Sequence, residues 1–115
     1  MNEITKKLPK SVDQAVDRLT SELSFTEKTM IVNKSEEELI DLQFTLGEYI
    51  RKEYRLDEND DLMESCRLIS KVDEINIGHA SFIIILELWK KLQTIYIFKG
   101  VDKLIGVVAL LLVIV

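Results

Sequence analysis

The sequence contains few of the residues that form turns and covalent cross-links. Its 115 residues include one proline and four glycines, which disfavours an all-β fold because such folds are rich in Gly- and Pro-containing turns. The one cysteine, Cys66, has no second cysteine for an internal disulfide, which favours a reducing, cytoplasmic setting. We therefore expect an all-α protein whose length suffices for one domain with a modest core.

Positive charge is also scarce. Fifteen Lys and Arg residues against twenty Asp and Glu residues give a net charge of −5. Nucleic-acid binding needs a concentrated basic surface, so we expect no nucleic-acid partner. The sequence has one histidine and four scattered glycines, and it therefore offers no glycine-rich phosphate loop.

Apolar residues at helical spacing are abundant, and the strongest pattern covers residues 35–54. Ser35 and Glu38 form an expected capping box at its start. At 100° per residue its apolar arc covers more than half of the helix circumference, so we expect a central helix packed on two sides. One face holds Leu39, Leu42, Leu46, Tyr49, Ile50 and Tyr54, and Ile40, Phe44 and Gly47 widen it.

Similar patterns predict a compact bundle of about five helices. Ser11 is the expected N-cap of the first, and Ser24 or Thr26 that of the second. The last helix is apolar over most of its circumference and should pack against residues 35–54, with Leu46 and Ile84 inside. The predicted helices are residues 11–23, 26–32, 35–54, 61–69 and 80–98.

The two ends of the chain differ from the middle. We expect residues 1–10 to be a flexible lead-in, residues 11–93 to be the helical domain and residues 94–115 to be an apolar tail. Residues 104–115 carry no charge, but twelve helical residues rise only about 18 Å against a hydrocarbon core of about 30 Å. A tail anchor would therefore have to include the charges at residues 99, 102 and 103.

Several short motifs in a fixed order resemble a family of small, uncharacterised bacterial proteins, a domain of unknown function. They are LPKSVDQAV, SEEEL, LGEYIRKEYRL, LMESCR and ASFIIILELWKKL, and they cover roughly residues 8–93. The resemblance implies a compact helical domain and no activity, cofactor or catalytic residue. The chain departs from the family pattern at Gly78 and His79, where relatives have an acidic pair, and at residues 94–115, where relatives have a short charged tail.

Three features could suggest chemistry, and each has a simpler structural interpretation. The acidic run of residues 57–61 fails as a calcium loop because Leu62 and Leu68 occupy the positions of the required Gly and Glu. Cys66 lies on the apolar face of its helix, where a thiol behaves as a small hydrophobic group. His79 is expected to be a loop residue near a helix start. We therefore assign no catalytic, cofactor-binding or metal-binding residue.

Other conspicuous residues are also expected to be structural. Glu53 should border the core or pair with a neighbouring cation, and Gly47 should allow another helix to approach closely. Trp89, Phe82 and Tyr96 could line a ligand groove, but aromatic residues at helical spacing are more often core residues.

We expect a non-enzymatic, acidic helical domain that interacts with another protein or with itself. The alternative is a small protein that is associated with the membrane, peripherally or as a tail anchor, through residues 104–115.

Overall fold

The computed structural model describes the backbone of residues 7–114 and the side chains of residues 7–96. Every regular element between residues 7 and 114 is helical, which confirms the all-α prediction. The elements are α1 (Val12–Glu22), α2 (Phe25–Val32), a 3-10 helix (Glu37–Phe44), α3 (Leu46–Glu53), α4 (Asp60–Ser70) and α5 (Ile77–Ile114).

The helix starts follow from side-chain caps. Ser11 Oγ accepts a hydrogen bond from the Gln14 amide at 3.1 Å, as expected for an N-cap. Ser24 and Glu27 form a complete capping box at α2. At residue 35 only half of the expected box is present. The Ser35 amide donates to Glu38 Oε1 at 2.8 Å, whereas the Glu38 amide donates to the Ser35 carbonyl oxygen.

Helix α5 is the centre of the domain, because each of the other five helices packs against it. Leu46 and Ile84 are both buried, which confirms that the two most apolar segments pack together. The centre is nevertheless the last helix and not residues 35–54. The core residues of α5 are Ala80, Ile83, Ile84, Ile85, Leu88 and Leu92.

Residues 35–54 do not form the single helix that the pattern predicts. A 3-10 helix ends at Phe44, Thr45 separates it from α3 with φ −115° and ψ −79°, and only α3 has α-helical winding. A 3-10 helix has about three residues per turn, so Leu39 and Leu42 lie on one line and are both buried. Leu39 and Leu42 are three residues apart, a spacing that places two residues on one face of either a 3-10 helix or an α-helix. The sequence pattern therefore does not distinguish the two windings.

Helix α5 begins earlier and continues further than the predicted 80–98. Asn76 Oδ1 accepts from the His79 amide at 2.8 Å and so caps a start at Ile77. The helix continues through the predicted tail to Ile114, a length of 38 residues or about 57 Å. Within the described residues, no helix combines the length and the apolar composition that a membrane span requires.

Part of the predicted lead-in packs on the domain. Pro9 is buried, and its carbonyl oxygen accepts from Asn59 Nδ2 at 2.9 Å. Residues 1–6 lie outside the described residues, as do the side chains of residues 97–115.

Candidate interaction surface

The 3-10 helix presents large apolar side chains to solvent. Ile40 is 56% exposed and Phe44 is 83% exposed, whereas the α-helical pattern placed both of them on the buried arc. With about three residues per turn, residues i and i+3 lie in line. Leu39 and Leu42 lie along the side of the 3-10 helix that faces α5. Ile40 and Phe44 therefore lie along its two other sides. The expectation that these two residues widen the core is wrong, and the 3-10 winding is the reason.

Acidic residues flank these two apolar residues in the sequence. Between residues 35 and 50 there are five acidic residues and no Lys or Arg, so this stretch alone carries a charge equal to the net charge of the chain. Glu36, Glu37 and Asp41 are exposed, and none of the three forms an ion pair with a described side chain. We name the surface formed by Glu36, Glu37, Ile40, Asp41 and Phe44 the acidic 3-10 surface.

A polar network holds the C-terminal end of the 3-10 helix on α5. Gln43 Nε2 donates to the Gly78 carbonyl oxygen at 3.0 Å. Arg51 of α3 donates to Ser81 Oγ at 2.9 Å and to the Gln43 carbonyl oxygen at 3.0 Å. Ser81 is fully buried, and its Oγ lies 3.1 Å from Gln43 Oε1. The network ties three elements together and satisfies polar groups that would be costly to bury unpaired.

Gly47 lies beneath this network. A Cβ atom at residue 47 would be 2.6 Å from Gln43 Oε1 and 2.9 Å from Arg51 Nη1. The glycine therefore leaves room for two hydrogen-bonded side chains of neighbouring turns. This explanation replaces the expected close approach of another helix.

The segment that leads into the 3-10 helix is attached to α5 by Trp89. Its Nε1 atom donates to the Lys34 carbonyl oxygen at 2.9 Å. Lys34 is hydrogen-bonded to Trp89 and Gln43 is hydrogen-bonded to Gly78. The 3-10 helix therefore runs antiparallel to α5. Both ends of the acidic 3-10 surface are thus positioned by hydrogen bonds to a buried helix.

The structure locates each of the residues that were considered for chemistry. Cys66 is buried, its Sγ atom lies 3.5 Å from the Ala80 carbonyl oxygen, and burial raises the pKa of its thiol to about 12. His79 lies in the first turn of α5. Trp89 and Phe82 pack against the core, and the Tyr96 ring lies 6.1 Å from that of Phe25. Glu53 is exposed at the end of α3.

The acidic run of residues 57–61 forms a turn followed by a helix N-terminus. Asn59, in its middle, is buried and caps α4 by accepting from the Leu62 amide at 3.2 Å. Its Nδ2 atom also donates to the Tyr54 carbonyl oxygen at 3.0 Å. Among the side chains of residues 7–96, no three His, Cys, Asp or Glu residues are placed to hold a metal ion.

A tyrosine pair that the sequence pattern did not indicate joins α1 to α3. Glu22 Oε1 accepts from the hydroxyl groups of Tyr49 and Tyr54, each at 3.0 Å, and the Arg18 guanidinium lies 5.7 Å from the centre of the Tyr54 ring. Desolvation and the Glu22 carboxylate raise the pKa of Tyr49 to about 12 and raise that of Tyr54 further. Periodicity could not reveal this group because its members are 27 and 32 residues apart.

Two of the clefts on the described surface have charged linings. One lies between α1 and α5 and includes Asp17 and Lys91, which form an ion pair. Another, beside α3, is lined by Glu48, Arg51, Lys52, Arg55, Asp57, Glu58 and Ile77. Both are lined mainly by charged side chains, whereas small-molecule sites are usually concave and mostly apolar.

Together these features define a small all-helical domain with an acidic, partly apolar surface element. The chain belongs to the family described as a domain of unknown function (DUF6794), whose model matches residues 8–92. This match confirms the family resemblance, which was expected over residues 8–93. No curated protein and no solved structure matches the chain.

Proposed function

We propose that this domain is a non-enzymatic protein-interaction module and that the acidic 3-10 surface is its contact site. The observation that carries the proposal is the exposure of Phe44 and Ile40 among carboxylates that have no ion-pair partner in the described part of the chain. Exposing a large aromatic side chain has a free-energy cost of a few kcal/mol relative to burying it. Apolar side chains within a polar rim are typical of protein-binding surfaces.

The environment of the titratable groups supports a non-enzymatic role. Nucleophilic cysteines need a lowered pKa and some exposure, whereas Cys66 is buried and its thiol pKa is raised to about 12. The two tyrosines with raised pKa values share their acceptor, Glu22, with each other. These groups join neighbouring helices.

Membrane association through residues 104–115 is the alternative function. The backbone is helical through Ile114, and the twelve residues are uncharged. Their rise of about 18 Å is short for a span of about 30 Å, so we favour the protein-interaction function in a cytoplasmic setting. Fractionation of cells that express the full-length chain tests the alternative. The alternative is supported if the chain is recovered in the membrane fraction and stays there after washing with salt.

The interaction function is tested with two surface variants of the full-length chain. Proteins captured by the wild-type chain are compared with those captured by Phe44→Ser and by Leu68→Ser. Leu68 is 60% exposed on α4 and is therefore a matched apolar control outside the proposed surface. We expect Phe44→Ser to lose a partner that Leu68→Ser retains, and the purified partner to bind directly.

Two results would contradict the proposal. One is identical capture by all three chains, and the other is loss of the partner with Leu68→Ser alone. Unfolding midpoints of the three chains should agree closely, because both substituted side chains are exposed.

A further inference from the structure

We infer that the partner of the acidic 3-10 surface is a basic amphipathic segment of another protein, which places cations against Glu36, Glu37 and Asp41 and an apolar side chain against Phe44. The inference rests on the proposed function and adds the chemistry of the partner. The charge of the surface and the position of its apolar residues carry the argument.

The charge of the surface selects a cationic partner. Five acidic residues and no basic residue lie between residues 35 and 50. Glu38 already accepts from the Ser35 amide, which lowers the pKa of its carboxyl group. The carboxylates of Glu36, Glu37 and Asp41 are left without an ion pair to a described side chain. A cationic segment would gain attraction from all three, and electrostatic complementarity of this kind increases both association rate and specificity.

The same charge argues against a symmetric dimer through this surface. A two-fold interface brings identical patches together, so the carboxylates of two copies would face each other. Repulsion between like charges at an interface costs up to several kcal/mol. The partner is therefore a different chain with the opposite charge.

The apolar side chains require an amphipathic partner. Phe44 and Ile40 lie on different sides of the 3-10 helix, and Ile77, whose neighbour Gly78 is bonded to Gln43, is 40% exposed beside this end. A purely cationic tail would leave these side chains uncovered. A segment with one apolar face covers Phe44 and the adjoining apolar surface while its cations reach the acids.

The positions of the acids without an ion pair determine the direction of the partner. The cleft beside Ile77 is lined by three cations, Arg51, Lys52 and Arg55, and by three acids, Glu48, Asp57 and Glu58, so its lining has no net charge. The basic residues of the partner therefore lie towards Glu36 and Glu37, and its apolar anchor lies towards Phe44 and Ile77.

Synthetic helical peptides of about fifteen residues, added to the isotope-labelled full-length chain, test the inference. The first peptide is amphipathic and built from Leu and Lys, the second replaces Lys with Glu, and the third replaces Leu with Ser and keeps Lys. We expect only the first to bind well, with amide shifts centred on residues 36–44. We expect binding to weaken about tenfold in high salt, because exposed charges are screened.

Charge reversal with a matched control completes the test. The double variant Glu37→Lys and Asp41→Lys should weaken binding of the Leu/Lys peptide about tenfold or more. Glu74→Lys, an exposed acid in the loop before α5, should leave binding nearly unchanged. Equal binding of the Leu/Glu peptide, or an equal effect of Glu74→Lys, would overturn the inference.

The failure of this inference can be distinguished from the failure of the proposed function. If Phe44→Ser abolishes capture of a cellular partner but the double charge reversal does not, the interaction function stands and the basic partner is excluded. If neither change affects any partner or peptide, both proposals fall.

Discussion

One oxygen atom of the Glu22 carboxylate accepts hydrogen bonds from two tyrosine hydroxyl groups. Tyr54 is buried, and the neighbouring Arg18 guanidinium lies over its ring. The neutral hydroxyl group is the form that can donate to a carboxylate, so both burial and Glu22 oppose ionisation of Tyr54. The cluster therefore makes the stability of the fold sensitive to alkaline pH.

We predict that the contribution of Tyr54 to the free energy of unfolding is lost as the pH rises above about 10, the ordinary pKa of tyrosine. Tyr54 has a raised pKa in the folded chain, so above that pH the unfolded chain binds fewer protons and is favoured. The loss for Tyr54 alone is about 1.4 kcal/mol per pH unit. Urea unfolding at a series of pH values measures it.

Tyr54→Phe is the control for this pH dependence. The variant should lose stability more gradually above the same pH, because one group with a raised pKa has been removed, while Tyr49 and Cys66 still contribute. Identical slopes for the two chains would show that Tyr54 does not titrate in the way its environment indicates.

At the scale of the elements, the contact between the 3-10 helix, α3 and α5 depends on a glycine. Gly47 leaves space for the side chains of Gln43 and Arg51, which bond to each other and to the buried Ser81. Ordinarily alanine would be the better helix residue at such a position by up to about 1 kcal/mol. We expect the polar network to reverse that preference here.

We predict that Gly47→Ala lowers the free energy of unfolding by about 1 kcal/mol, because the new methyl group displaces hydrogen bonds worth about 0.5–1.5 kcal/mol each. Gly78→Ala is the matched control. Gly78 is also the second residue of its helix, and its nearest obstacle is Asn76 Oδ1 at 3.3 Å. Chemical denaturation of both variants measures the difference, and equal stabilities would contradict the role of the network.

At the scale of the whole molecule, all other helices assemble around the first part of α5. Its described core ends with Leu92, and the family match ends at the same residue. The described packing beyond it includes the contact between Tyr96 and Phe25. The later residues of the helix therefore lie outside the part of the chain that the family shares.

We predict that a chain truncated after Tyr96 keeps the cooperative unfolding transition of the full-length protein, because every core residue of the described fold is retained. Truncation after Ile85 is the contrasting variant. It removes Leu88 and Leu92, which are fully buried, and each such loss costs about 2–5 kcal/mol. Circular dichroism during urea unfolding checks both chains. A non-cooperative transition in the longer one would show that residues 97–115 contribute to the core.

The buried residues of α1 were predictable from their spacing alone. Val12, Ala15, Val16 and Leu19 recur at three and four residues, and all four are buried. In α4 the same spacing groups Leu62, Cys66 and Ile69 on one face, but Ile69 is 41% exposed whereas the other two are buried. An amphipathic pattern indicates which face is apolar, but the area that neighbours cover determines how wide the buried part is.

The candidate surface was not predictable in this way. The pattern of residues 35–44 fits an α-helix with Ile40 and Phe44 near the buried arc, and the predicted capping box supports that winding. In the structure, Trp89 bonds to the Lys34 carbonyl oxygen and Gln43 bonds to Gly78. These contacts connect residues that are 55 and 35 positions apart, which no local pattern can encode.

The sequence by itself determined that the protein is all-helical, approximately where α1, α2 and α4 lie, and which family the chain resembles. These properties depend on residues within one or two turns of each other, such as Ser11 with Gln14. Only the tertiary structure decided that α5 is the centre and that residues 37–44 wind as a 3-10 helix with Phe44 outside. The physical reason is that α and 3-10 windings differ little in local free energy, so distant hydrogen bonds and packing select between them.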